Sequence, residues 1–207
     1  MLTNVYVDGF NLYYGCLKGT PYKWLDLGAL CQALLPPNKI QRIRYFTAKV
    51  NTHADPHQPV RQGAYLRALQ TVPGLTVHLG HFLTSTVRMP LAKPVPGGPR
   101  TVEVTKTEEK GSDVNLATYL LADAFRADAE IFVVFSNDSD LMEPIRLVSQ
   151  ELGYRVGIVN PHPNVSRALQ RTRPSFTKQI RRGVLAASQF PEKLSDAHGS
   201  ITKPEVW

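Results

Sequence analysis

The chain has 207 residues, 43% of them hydrophobic, and a formal charge of +7 at neutral pH. That length suits one α/β domain with a short appendage and a real buried core. Its longest apolar runs, such as Ile131 to Phe135, are strand-sized, which excludes a helical membrane span, and Asp8 is reached without a hydrophobic signal core, so a soluble, cytoplasmic protein is expected.

Val5 to Val7 reads as a buried first strand ending at Asp8, and Trp24 to Leu35 as a helix stopped by Pro36-Pro37. Cys16 and Cys31, within this stretch, lack C-x-x-C spacing and read as reduced thiols, not a disulfide framework or a zinc knuckle. Ile40 to Val50 predicts a second strand, Pro59 to Val72 a helix, and Thr76 to Leu83 a third strand. Residues 89–109, rich in Pro and Gly, predict an inserted loop with a hairpin return at Thr101 to Val104 and a substrate-covering role. Ser112 is the expected N-cap of a helix running to about Phe125. Strand Ile131 to Phe135, helix Asp140 to Leu152, strand Arg155 to Val159 and a short helix after Pro163 complete the alternation. Such repetition implies a three-layer α/β fold, a mainly parallel central sheet with helices on both faces. Residues 1–183 are expected to form this domain and 184–207 a tail packing on the body.

Five polar residues fall where such a sheet would bring them to one rim: Asp8 and Asn11 in V-D-G-F-N, Asp113 in K-G-S-D, and Asp138 and Asp140 in S-N-D-S-D. Pooled carboxylates repel one another, and a hard divalent cation such as Mg²⁺ or Mn²⁺ relieves that repulsion. Asp8, Asp113 and Asp138 are therefore assigned to metal binding, Asp140 to the same shell or to water activation, and Asn11 and Ser136 to positioning. Lys110 is assigned to phosphate contact or charge balance.

Between Glu151 and Glu192 there is no acid, but Arg155, Arg167, Arg171, Arg173, Lys178, Arg181 and Arg182 all occur there. A basic flank beside an acidic pocket suits a phosphodiester, and Arg167, Arg171 and Arg173 are the expected substrate contacts. Tyr13, Tyr14, Tyr22 and Trp24 follow the first acidic motif and either stack on bases or pack in the core, the latter favoured for Trp24. His78 and His81 form H-x-x-H, but on a strand they point to opposite faces, which argues against a shared zinc. No G-x-G-x-x-G or Walker lysine indicates a nucleotide cofactor.

The ordered set V-Y-V-D-G-F-N-L, E-K-G-S-D-V-N-L-A and V-V-F-S-N-D-S-D-L-M-E-P-I resembles the NYN domain family of the PIN-like nuclease superfamily, from about Asn4 to Asn160. The resemblance implies a PIN-like fold and an Mg²⁺- or Mn²⁺-dependent endoribonuclease with acidic catalytic residues at Asp8, Asp113, Asp138 and Asp140, and Asn11 as the polar partner. The competing expectation is a catalytically silent RNA-binding or regulatory module. A dehalogenase-type phosphatase needs a second acid two residues after the first, where Phe10 stands. RNA is thus the expected partner, and a homodimer stays open through the Pro/Gly loop or the Trp207 tail.

Overall fold

The computed structural model describes residues 1–50 and 55–207. Its centre is a seven-stranded sheet in the order β4-β3-β2-β1-β5-β6-β7. The strands are β1 (Leu2–Asp8), β2 (Lys39–Ala48), β3 (Leu75–Pro90), β4 (Thr101–Lys110), β5 (Ile131–Phe135), β6 (Arg155–Asn160) and β7 (Phe176–Gln179). All neighbours run parallel except β3 and β4.

Side chains alternate across the central strands, so each strand feeds two cores. Val5 and Val7 of β1 and Ile131, Val133 and Phe135 of β5 enter one core, and Tyr6, Phe132 and Val134 enter the other. The first core is closed by α2 (Leu27–Leu34), α3 (Gln58–Gln70) and α7 (Arg182–Ala187) through Leu30, Leu69 and Leu185. The second is closed by α4 (Ser112–Phe125), α5 (Met142–Arg146) and α6 (Arg167–Arg171) through Leu120, Ile145 and Leu169. Helices on both faces of a mainly parallel sheet make the expected three-layer α/β architecture.

Several segments differ from the sequence expectation. The helix after Trp24 begins only at Leu27, because Asp26 caps it by accepting from the amides of Gly28 and Ala29 at 2.8 and 3.1 Å. Trp24 is fully buried and donates its indole N–H to the Pro191 carbonyl at 2.8 Å.

The expected 89–109 loop is largely strand. β3 and β4 pair antiparallel from His81 opposite Lys110 to Pro90 opposite Thr101, which leaves residues 91–100 as the tip. Facing Thr- and Val-rich runs satisfy each other's backbone, and Pro94, Pro96 and Pro99 are confined to the turn. β2 accompanies β3 only from Leu75 to Gly80, so the rest of the hairpin projects from the sheet.

The segment 139–151 is broken into a 3₁₀ turn at Ser139–Leu141, α5, and wider π-type turns at Leu147–Glu151. Residues 184–207 are more ordered than a plain tail: α7 spans the 183/184 boundary, and β8 (Lys193–Asp196) and β9 (Gly199–Thr202) form a hairpin. Arg67 of α3 holds that hairpin through Asp196 at 2.7 Å.

One buried polar knot ties α4 to the sheet. Asp123 accepts from Arg44 Nε at 2.8 Å, from Arg44 Nη2 at 2.9 Å and from the Tyr6 hydroxyl at 2.8 Å. Arg44 of β2 also lies 4.4 Å from the ring centre of Tyr119 on α4, a cation–π contact that ties the same two elements. Breaking a buried charge pair from one side strands the remaining charge at a cost of about 3–5 kcal/mol. Asp123→Ala should therefore lower unfolding free energy by that order in urea titration; a change under about 1 kcal/mol would show that the knot does not anchor α4.

Candidate functional site

The chain order runs β1 to β4 on one side of β1 and β5 to β7 on the other, so the winding direction reverses between β1 and β5. In open α/β sheets the carboxyl ends of the strands at such a reversal form a crevice. Asp8 ends β1 there, and Ser136, Asn137 and Asp138 follow β5.

Asp8 is buried and caps α1 (Gly9–Leu12): its Oδ1 accepts from the Asn11 amide at 2.9 Å. Its Oδ2 accepts from the Ser136 hydroxyl at 2.9 Å, and that same hydroxyl oxygen accepts from the Asp138 amide at 3.0 Å. The Asn11 side-chain oxygen accepts from the Asn137 amide at 2.9 Å. The first and third acidic motifs are thus stitched together by Asn11 and Ser136, the two residues expected to position the acids.

The second motif arrives through the hairpin corner. Glu109, next to last in β4, accepts from the Ser112 amide at 3.1 Å, so Glu109 and not Ser112 satisfies the start of α4. Gly111, the residue before α4, has φ of 98°, a left-handed conformation suited to glycine. A Cβ on Gly80 would fall 2.2 Å from Glu109 Oε1 and 2.5 Å from the Lys110 carbonyl, so the corner closes only because Gly80 has no side chain. Asp113 follows in the first turn of α4.

These corners bring one carboxylate oxygen each of Asp8, Asp113 and Asp138 within 4.8 Å of one another. They share a cleft of about 350 Å³ with Phe10, Asn11, Tyr14, Phe82, Glu109, Ser112 and His162. Burial pushes the Asp8 carboxyl up to about 6, and the charges of Asp113 and Asp138 add to the rise. Asp113 is raised for the same reasons, burial first and then Asp138, Glu109 and Asp140. Three hard oxygen donors gathered in one cleft fit a divalent cation.

Asp140 lies outside this trio: it is exposed, and its amide donates to Asp138 Oδ1 at 2.9 Å. Lys110 is directed away from the cleft, because alternation along β4 turns it opposite to Glu109, and it pairs with Glu108 at 3.4 Å. Arg167, Arg171 and Arg173 are exposed on and just after α6. Asn137 ties that segment to the site, its side chain accepting from the Ser166 amide at 2.6 Å and donating to the Asn164 carbonyl at 2.9 Å.

Glu109, Phe82 and His162 were absent from the sequence expectation. Glu109 sits in the quoted E-K-G-S-D motif and His162 just beyond the end of β6, both readable signals; Phe82 has none, since only the hairpin brings it 5.9 Å edge-on to Phe10. His78 stacks on Phe46 at 4.9 Å, away from His81, whose side chain is exposed.

An α/β sheet with an acidic trio at its reversal point is consistent with a domain of the PIN-like nuclease class. The chain belongs to the NYN domain family, whose model matches residues 2–185. Among curated proteins it is 30% identical to 6-hydroxy-3-succinoylpyridine 3-monooxygenase HspA of Pseudomonas putida, over 99% of this chain and 75% of that protein. Among solved structures it resembles a protein of unknown function from Vibrio parahaemolyticus, with a TM-score of 0.58 and 16% identity, covering 87% of this chain and 93% of that one. No described helix is long and apolar enough to cross a membrane.

The raised carboxyl of Asp8 has a stability consequence. Its ordinary value is 3.8 and its folded value about 6, so its favourable contribution is complete below 3.8 and lost as pH rises through 6. Asp8→Asn should therefore stabilise the metal-free protein by about 1–3 kcal/mol at pH 8 and by almost nothing at pH 4. Thermal melting at the two pH values checks this; equal effects at both would show that Asp8 carries no repulsive burden.

Proposed function

We propose that the protein is a divalent-metal-dependent endoribonuclease that hydrolyses RNA phosphodiester bonds, with Mg²⁺ or Mn²⁺ as cofactor. The observation that carries this reading is the convergence of Asp8, Asp113 and Asp138 within 4.8 Å in a chain of the NYN family. Those three residues would hold the cation, which when bound supplies charge against the scissile phosphate and a more acidic water.

The chain's own residues do the remaining work. Asn11 and Ser136 keep the Asp8 carboxylate oriented, as their hydrogen bonds to one another's loops support. Asp140, outside the trio, adds negative charge that favours cation capture without contributing a ligand. Arg167, Arg171 and Arg173 hold substrate phosphates on the flank tied to the site through Asn137.

A second reading follows from the Pseudomonas relative, named as a monooxygenase of a hydroxylated pyridine, and is favoured by an aromatic-walled cavity of about 550 Å³ beside the acidic cleft. It predicts oxygen uptake with 6-hydroxy-3-succinoylpyridine and a two-electron reductant.

The discriminating assay is cleavage of end-labelled single-stranded RNA with Mn²⁺, Mg²⁺ or EDTA. Metal-dependent cutting should fall on the order of 10²-fold or more in each of Asp8→Asn, Asp113→Asn and Asp138→Asn, and less than about 10-fold in Asp140→Asn. Binding without cutting in every variant would identify a silent RNA-binding module instead. Cutting that survives Asp138→Asn would remove the proposed site.

A further inference from the structure

The acidic cleft shares a wall with the larger cavity. Phe10 and Tyr14 line both. The larger space, about 550 Å³, is bounded by the segment Gly9 to Leu17 and by α3, and is within the ~300–1,000 Å³ of small-ligand sites. Its walls are aromatic, formed by Tyr13, Tyr14, Tyr45, Tyr65 and Trp207.

Most of these walls are rigid before any ligand arrives. Tyr45 and Tyr65 are buried and meet edge-on, with ring centres 6.3 Å apart at 88°. The Tyr65 hydroxyl donates to the Leu25 carbonyl at 3.0 Å, and the Gln62 amide clasps the end of β2 by accepting from Val50 at 2.9 Å and donating to Ala48 at 2.8 Å. Tyr14 differs: it is 60% exposed, at the junction of the two spaces, with the Lys18 ammonium 4.9 Å from its ring centre. Lys23, Arg61 and Asp55 line the cavity, and the last two are paired with each other, so the lining, among the described residues, carries one net positive charge, that of Lys23. Aromatic walls favour a flat ring, and the unmatched Lys23 charge favours a ring joined to an anion.

We infer that this cavity is a stacking site for one nucleobase of a single-stranded RNA whose adjacent phosphate lies over Asp8, Asp113 and Asp138. The inference rests on the ribonuclease reading. A nucleotide within a strand is favoured over a free aromatic acid because the Phe10 and Tyr14 wall makes cavity and carboxylates one surface, which a base and its linked phosphate span together. Stacking tolerates every base, so the site fixes the strand's register while leaving its sequence preference modest.

The test uses a short labelled single-stranded RNA with Ca²⁺ in place of Mg²⁺ or Mn²⁺, so that a cation bridges phosphate and carboxylates during the measurement, with one abasic ribose moved position by position, and reads affinity by fluorescence anisotropy. In the native protein one abasic position should weaken binding about 10-fold, in line with the loss of one stacked base. Tyr14→Ala, an exposed change checked by unaltered melting, should bind the intact strand about 10-fold more weakly and lose that positional sensitivity. A positional penalty that persists unchanged in Tyr14→Ala overturns the inference while leaving metal-dependent cleavage standing. The expected pattern without any cleavage in Mn²⁺ supports the base site and removes the nuclease reading. Quenching of Trp fluorescence by free 2-hydroxypyridine in a protein that binds no RNA overturns the inference and assigns the cavity to a small heteroaromatic ligand.

Discussion

The site is governed by the repulsion of three carboxylates that the fold forces together. Asp8, Asp113 and Asp138 come from three separate corners. Asp8 is clamped by the Asn11 amide and the Ser136 hydroxyl, Asp138 is bound into its turn by Ser136, and Asp113 is fixed by the start of α4. Burial and the neighbouring charges raise the carboxyls of Asp8 and Asp113, an electrostatic stress that a hard divalent cation would relieve.

That stress is tolerated because the frame around it is stiff. Two cores grip β1 and β5 from opposite faces, and the Asp123 knot fixes α4 against β1 and β2 about three turns from Asp113. At the hairpin corner, Gly80 lets the end of β4 approach β3 closely enough for Glu109 to bond the first amide of α4. The same hairpin delivers Phe82 to Phe10, so one insertion both sets Asp113 and builds the cleft wall.

Most of this was legible in the chain. Continuous apolar runs and helical periodicity place the central strands and α3 and α4, since buried parallel strands and amphipathic helices are determined by local pattern. The acidic motifs were legible because each sits at a strand end or helix start. What escaped was decided by non-local partners. The hairpin return expected at Thr101 to Val104 continues to Lys110 through pairing with 81–90, and Asp26 outcompetes Trp24 for the helix start because Trp24 is claimed by Pro191 and Phe190 far along the chain. β7 lacks a strong pattern in F-T-K-Q and exists because β6 offers it an edge. The orientation of Lys110 was not legible in the sequence, because it is set by strand alternation, which turns it opposite to Glu109 and towards Glu108.

Membership of the NYN family and the acidic trio agree on metal chemistry, while the Pseudomonas relative shows that a protein with 30% identity to this chain carries an oxygenase name. The most direct measurement is anomalous diffraction from crystals soaked in Mn²⁺. The account predicts a strong peak among the carboxylates of Asp8, Asp113 and Asp138 that vanishes in Asp138→Asn; a peak elsewhere, or none at these three residues, would contradict it.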